Sequence, residues 1–236
     1  MTVVAADGQL VHPVSVDEFR IGAAETYDVI VEPTGQEAFT IFAQSSDRTG
    51  YARGTLAVRE GLRAPVPDLD PRPLLTMADM GHGEHAGHSL APGTSRDDSH
   101  KGHDMPAMSG SSEGQPMQMH PDSERGNPMV DMQAMIPASR LDDPGIGLRD
   151  NGRRVLAYGD LRSLFPDPDG REPGRTIELH LTGHMERFAW SFNGIKFSDA
   201  EPLRLTYGER MRIVLVNDTM MAHPIHLHGM WSDVED

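Results

Sequence analysis

Two blocks of short β-patterned segments are separated in this chain by a long stretch that cannot build a hydrophobic core. The patterned blocks run from 1 to about 60 and from about 151 to 236, and the stretch between them is rich in Gly, Pro, Ser, Asp, Met and His. A segment of that composition buries too little apolar surface to offset the entropy lost on ordering. We therefore expect an all-β chain, with two sandwich-like pieces joined by a long, disordered Met/His-rich segment.

The strand candidates are short and evenly spaced, which is typical of a β-sandwich or barrel. In the first block they are 14–21, 26–31, 38–43 and 55–59, and in the second 154–158, 175–182 and 210–217. In the second block, Asn193-Gly194 separates two apolar runs. This dipeptide suits the type I′ turn and predicts a hairpin.

The run His-Pro-Ile-His-Leu-His-Gly at 223–229 places three imidazoles close together near the end of the sequence. Neutral imidazole is the commonest protein ligand for zinc, copper, iron and nickel. Side chains two apart on a strand share a face, so His226 and His228 should project together. His223 lies three residues earlier, across a proline that restricts its backbone, and should point toward a different metal.

The three histidines also admit other interpretations. A chance cluster of surface histidines would not be expected inside patterned β-sequence. A zinc hydrolase would need an acidic ligand or base just downstream, where Gly229, Met230 and Trp231 stand instead. A cupin-like His-x-His site would need a glutamate a few residues later.

The run at 223–229 closely resembles the first copper-ligand motif in the last cupredoxin domain of multicopper oxidases. The resemblance implies that His223 is a type 1 copper ligand, His226 a type 2 ligand and His228 a type 3 ligand. Segment 25–31 also resembles a strand near the end of the middle domain of this family. Segments 50–54, 70–80 and 190–194 are similar to its bacterial copper-resistance (CopA-like) branch.

The same resemblance implies a fold and a domain layout. The fold would be the cupredoxin-like (plastocyanin-like) Greek-key sandwich. Residues 1–60 would be the C-terminal part of one such domain, 61–150 a linker and Met/His-rich insert, and 151–236 the N-terminal part of the last domain. We therefore expect a fragment of a longer oxidase, whose remaining domains are its partners.

The chain has no cysteine. A blue type 1 copper site needs a thiolate beside its two histidines, and this chain cannot supply it. We therefore expect the chain to be inactive as an oxidase by itself.

The resemblance also implies an activity. The family oxidises its substrate by outer-sphere electron transfer at the type 1 copper and reduces molecular oxygen to water at a trinuclear copper cluster. For the copper-resistance branch the implied reductant is Cu(I), the role is copper tolerance, and the compartment is the periplasm, with an export signal upstream of this chain. The alternative is a non-catalytic protein that sequesters copper with its Met/His-rich segment, because thioether and imidazole ligands suit Cu(I).

Charge and hydropathy restrict the remaining partners. A formal net charge of −15 argues against nucleic acid, which needs a basic patch. No run of about 18 apolar residues occurs, so no transmembrane helix is predicted. Two further histidines receive no ligand role: His180 is predicted to face solvent from a strand, and His184 to lie in a loop.

Overall fold

The computed structural model describes residues 1–76, 79, 118–187 and 189–235. Its strands are β1 Thr2–Ala6, β2 Gln9–Ser15, β3 Tyr27–Ile30, β4 Ala38–Gln44, β5 Tyr51–Ala57, β6 Arg175–His184, β7 Ala189–Phe192 and β8 Met211–Asn217. The named helices are single 3₁₀ turns at Asp122–Glu124, Tyr158–Asp160, Met185–Arg187 and Phe197–Asp199. This strand-rich architecture confirms the all-β prediction. No helix within these ranges has the length and apolar character needed to cross a membrane.

The first sheet has the antiparallel order β2-β1-β3. Alternate residues of the central strand β1 point inward, so that Val3 and Ala5 are buried, as the period of two requires. Asp7 and Gly8, both with positive φ, connect β1 to β2. This Asp-Gly pair suits the type I′ hairpin turn.

The segment 154–164 packs onto this first sheet. Its backbone forms isolated bridges that join Val155 to Glu18 and Ser163 to Val11, and Leu156 enters the same buried cluster as Val3 and Val11. Only bridges form here, so the predicted strand 154–158 is wrong: the 3₁₀ turn at Tyr158–Asp160 ends the extended stretch. Contacts thus cross the predicted boundary near 150, and the division into 1–60, 61–150 and 151–236 stays a prediction.

The strand predicted at 14–21 is also too long. β2 ends at Ser15, because the backbone beyond it leaves β1 and pairs with 154–156 instead. The amide of Asp17 donates to the carbonyl of Arg154 at 2.8 Å, and the amide of Leu156 donates to the carbonyl of Glu18 at 2.9 Å.

β4 and β5 form a separate two-stranded antiparallel sheet. The proline-rich stretch lies along β4, where the Thr40 hydroxyl donates to the carbonyl of Pro65 at 2.8 Å. Ile41, Tyr51 and Leu56 are exposed to solvent. This sheet therefore presents apolar side chains that no described residue covers.

The third sheet has the order β7-β6-β8, with β7 antiparallel and β8 parallel to β6. Asn193 and Gly194 follow β7 with φ of 52° and 72°, which confirms the predicted turn. The second strand of the predicted hairpin does not form, since only an isolated bridge joins Phe192 to Ile195. Burial is concentrated at the end of β6 and of β8, where Thr182 and Val216 have almost no exposed surface.

Part of the Met/His-rich stretch is ordered against this third sheet. The amide of Asp131 donates to the carbonyl of Gly183 at 3.1 Å, and the Ser123 hydroxyl donates to the carbonyl of Asn193 at 2.7 Å. Glu124 and Ala134 are buried. The expectation of disorder is therefore wrong for 118–150, where polar bonds to the sheet replace the missing apolar burial. The histidines and methionines of 80–117 lie outside the described residues.

Replacing Gly194 by alanine should destabilise the third sheet. A Cβ at this position would lie 2.7 Å from Asn127 Nδ2 and 3.0 Å from the Ser123 carbonyl oxygen. We expect a loss of about 1–3 kcal/mol in the free energy of unfolding, from the close contact added to the positive φ. Urea unfolding would measure it.

Gly170→Ala is the matched control. Gly170 also has a positive φ, 62°, but a Cβ added there would meet no atom within 4 Å. This variant should therefore show only the smaller backbone cost. Equal losses for the two variants would show that segment 118–135 does not pack on the turn.

Candidate metal centre

The three histidines of 223–229 follow β8 and a turn formed by Asn217, Asp218 and Thr219, as the sequence predicts. Residues 222–227 themselves form no strand. The positions of the side chains therefore depend on local contacts and not on a sheet.

His226 and His228 lie side by side. Their ring centroids are 4.9 Å apart with an interplanar angle of 82°, and both residues are exposed. The structure brings this pair together, although the strand on which the prediction of a shared face rested does not form, and leaves the pair open to ligands from elsewhere. Two exposed imidazoles on one short segment can each offer a nitrogen to neighbouring metal ions.

His223 is held separately from this pair. Its ring packs edge-on against Trp190 with centroids 4.1 Å apart, and its Nε2 lies 2.6 Å from the Thr219 hydroxyl. Partial burial lowers the pKa of His223, because the charged form is poorly solvated there. The ring is thus held in one orientation and favoured in its neutral form.

The contacts of Thr219 define which nitrogen of His223 is free. The Thr219 hydroxyl lies 2.9 Å from the Asn217 side-chain oxygen, which also accepts from the Thr219 amide. That oxygen can only accept, as can the Met221 carbonyl oxygen 3.3 Å from the hydroxyl, so both are acceptors for its proton. When the hydroxyl donates to either of them, its oxygen accepts Nε2–H of His223, and Nδ1 carries the lone pair that could bind a metal.

A second group of potential ligands is buried beside the third sheet. It consists of His120 and Glu124 from segment 118–135, His180 from β6 and Asp218 from the turn after β8, and their ligand atoms lie within 4.8 Å of one another. His180 and Asp218 are each 1% exposed and Glu124 is 2% exposed. The four side chains therefore meet in a closed, polar pocket.

The prediction that His180 faces solvent is wrong. Alternation places His180 on the same face as Glu178, whose side chain is still 45% exposed. Segment 118–135 covers the face at His180 and leaves Glu178 at its margin. A period-two pattern cannot reveal a covering segment that comes from about sixty residues earlier in the chain.

The electrostatics of this pocket favour a charged imidazole. Burial alone would lower the pKa of His180, but its hydrogen bonds to Asp218 at 2.6 Å and Glu178 at 3.1 Å, with the charge of Glu124 nearby, raise the pKa overall. Asp218 also accepts a hydrogen bond from the Ala134 amide at 2.7 Å. His180 and Asp218 are therefore held in place by hydrogen bonds within the chain itself.

A cleft of about 450 Å³ lies next to this pocket and has several sulfur-bearing side chains in its wall. Its lining includes Met132, Met185, Met220 and His184, together with Thr219. The prediction that His184 lies in a loop is wrong, because His184 is the last residue of β6. Its Nε2 lies 3.4 Å from Asp131 Oδ1. The sequence indicates Met132 only as part of the insert, and carries no signal for Met185 and Met220.

Comparison with known proteins gives two matches to multicopper oxidase family models, over residues 1–61 and 170–236. Copper resistance protein A of Escherichia coli is 66% identical over 100% of this chain and 43% of its own length. A copper resistance protein A homolog of Pseudomonas syringae pv. tomato is 66% identical over 100% of the chain and 42% of its own length.

A more distant relative, the multicopper oxidase MmcO of Mycobacterium tuberculosis, is 25% identical over 97% of the chain and 30% of its own length. No solved structure matches the chain. The chain spans less than half the length of these curated relatives. It belongs to the multicopper oxidase family, whose domains are cupredoxin-like and whose cofactor is copper.

Proposed function

We propose that this chain is the copper-binding part of an oxidase that oxidises Cu(I) or a similar reductant and reduces molecular oxygen to water, and so serves copper tolerance. The observation that carries the proposal is the division within the histidine motif. His226 and His228 lie side by side, while His223 is held apart by Trp190 and Thr219. An oxidase with one copper site for electron entry and another for oxygen reduction would need its histidine ligands to be separated in this way.

The side chains present fit copper. Imidazole binds both Cu(I) and Cu(II), and a neutral ring with its second nitrogen anchored is the form that binds a metal best. His223 meets this condition through Thr219, which would leave Nδ1 for a type 1 copper. His226 and His228 would serve type 2 and type 3 coppers. Bound copper supplies one-electron oxidation at the first site and oxygen reduction at the others.

The cleft beside His223 supports Cu(I) as the reductant. Met132, Met185 and Met220 contribute soft, uncharged sulfur atoms, which Cu(I) prefers. Thr219 lines this cleft and also bonds to His223. A Cu(I) ion held there would lie next to a ligand of the electron-accepting copper.

The length of the relatives supports the view that other domains complete the site. Since the chain has no cysteine, the thiolate of a type 1 site would come from the rest of a longer protein. The uncovered apolar side chains of β4 and β5 are a surface that such domains would cover. Copper tolerance by such an oxidase would fit the periplasm, with an export signal upstream.

Sequestration without turnover is the second candidate. The lack of a cysteine favours it, together with the density of Met and His between Met77 and Met135. A protein of this kind would bind copper without consuming oxygen.

Substitution of the motif histidines in the whole protein separates their roles. His223→Ala should abolish the intense blue thiolate-to-copper band, because it removes a type 1 ligand. His226→Ala and His228→Ala should keep that band and lose oxygen consumption. Optical spectra and an oxygen electrode, with Cu(I) as reductant, would measure both effects.

His12→Ala is the control, since His12 is exposed on β2 and distant in sequence from the motif. It should leave both signals unchanged. The isolated 236-residue chain with added Cu(II) should show no intense blue band, because it has no cysteine. A blue band that survives His223→Ala, or copper binding without any oxygen consumption by the whole protein, would contradict the oxidase.

The Met/His-rich insert should matter for Cu(I) more than for other reductants. We would replace its methionines by leucine and its histidines by glutamine between 80 and 117, and so leave segment 118–135 intact. The substituted positions are Met80, His82, His85, His88, His100, His103, Met105, Met108 and Met117. The rate of Cu(I) oxidation should fall several-fold, since these soft ligands would gather the ion.

A small organic reductant serves as the comparison in the same variant. Its oxidation should stay near the wild-type rate, because it needs no metal ligands. Equal losses for both reductants would show that the insert acts on the oxidase in general and does not deliver Cu(I).

A further inference from the structure

The buried pocket of His120, Glu124, His180 and Asp218 lies outside the three-histidine motif, and its side chains come from three separate parts of the chain. Two buried carboxylates are costly unless their charge is compensated. Their charge is compensated either by protons, on the imidazoles or on a carboxyl group, or by a bound cation.

The outer nitrogen of each imidazole is anchored by an oxygen. His120 Nε2 lies 3.1 Å from the Ala134 carbonyl, and His180 Nε2 lies 3.1 Å from Glu178 Oε1. A carbonyl or carboxylate oxygen can only accept, so each Nε2 carries a hydrogen. In a neutral ring this leaves Nδ1 with a lone pair, and both Nδ1 atoms face the carboxylates. Metal-binding histidines are oriented in this way by outer acceptors.

The inner distances are close to those of a four-coordinate site. His180 Nδ1 lies 2.6 Å from Asp218 Oδ2 and 3.7 Å from Glu124 Oε1. His120 Nδ1 lies 3.1 Å from Glu124 Oε2 and 3.3 Å from Asp218 Oδ2. A tetrahedral ion with bonds of about 2.0–2.2 Å needs ligand-to-ligand edges of roughly 3.3–3.6 Å. The distances of 3.1 and 3.3 Å are near this range, whereas the 2.6 Å pair would have to separate and the 3.7 Å pair to approach slightly.

One carboxylate oxygen distinguishes a cation from protons. Glu124 Oε1 is buried and accepts no hydrogen bond from any described residue. With both imidazoles protonated, this oxygen would have an ion pair with His180 Nδ1 at 3.7 Å but still no hydrogen bond. A cation bound in the pocket would use it, and a divalent ion would balance the two carboxylates beside two neutral imidazoles.

We propose that His120, Glu124, His180 and Asp218 form a closed structural site for a divalent first-row transition ion. Zn²⁺ is the representative ion of this class. Calcium and magnesium prefer oxygen ligands alone, and Cu(I) prefers sulfur, so the mixed imidazole and carboxylate set favours a divalent transition ion over these three ions. Four protein ligands, of which three are buried and His120 is partly buried, would fill a tetrahedral site and leave no open position for a substrate. The inference holds whether or not the protein is an oxidase.

Such an ion would tie segment 118–135 to the turn that leads into the histidine motif. Asp218 is followed by Thr219, which bonds to His223. The Asp218 amide also donates to the Leu181 carbonyl of β6 at 3.0 Å. The cation would therefore stabilise the turn that orients His223, without touching the copper ligands.

Metal binding would be tested in the whole protein with His223, His226 and His228 replaced by alanine, so that the motif cannot contribute. The metal-free protein is titrated with Zn²⁺, and with Co²⁺ as a visible probe. We expect one equivalent of bound metal that survives dialysis and depends on Glu124. Bound Co²⁺ should show tetrahedral absorption bands. Tm should rise by roughly 5–10 °C at a metal concentration about 100 times Kd.

The variants separate metal binding from metal-free stability. Glu124→Gln should lose the Glu124-dependent equivalent and the Tm rise, and without metal it should be less stable than the parent, because it removes a carboxylate that pairs with His120 and His180. Glu178→Gln keeps an accepting oxygen and should weaken Kd by about 10–100-fold. His12→Gln, at an exposed position, is the matched control and should change nothing.

Anomalous diffraction at the zinc edge gives a readout that needs no variant in the pocket. A peak among the four side chains would support the site even if Glu124→Gln fails to fold. The absence of that peak in zinc-loaded crystals, or an unchanged equivalent in a folded Glu124→Gln protein, would overturn the proposal. Loss of the blue band in His223→Ala concerns the oxidase alone, so the two proposals can fail separately.

Discussion

The second half of this structure depends on the side chain of Asp218. It accepts from the amide of Ala134, bonds to His180 of β6, and begins the turn that carries Thr219 and His223. A buried carboxylate with several hydrogen-bond partners constrains their positions strongly. Each lost hydrogen bond leaves its charge less compensated in the protein interior, which solvates charge poorly. One side chain thus fixes the relation between a covering segment, a sheet and the copper motif.

The two patterned blocks of the sequence are not independent in space. Residues 154–164 complete the core of the first sheet, while 118–135 cover the third sheet. The Met/His-rich stretch therefore has at least one part that is structural. Its methionines and histidines can have different tasks: His120 is in the buried pocket, and Met132 lines the cleft near His223.

Local chemistry explains which predictions succeeded. The Asn193-Gly194 turn, the strand predicted at 175–182 and the closeness of His226 to His228 all depend on residues a few positions apart. The predicted strands at 14–21 and 154–158 failed because their limits depend on a long-range pairing between Asp17 and Arg154. His180 was misplaced for the same reason, since its cover comes from a distant segment.

Residue order and chemistry were enough to predict the β character and the turn at Asn193-Gly194, and to single out His223, His226 and His228 as candidate metal ligands. These predictions follow from strand patterning, from the backbone freedom of Gly194, and from the spacing and chemistry of the imidazoles, whereas copper as the metal follows from the resemblance to a family. The folded chain alone shows two arrangements. One is the group formed by His120, Glu124, His180 and Asp218. The other is the packing of His223 against Thr219 and Trp190. Such arrangements depend on how separate strands and segments pack, and no local pattern records that packing.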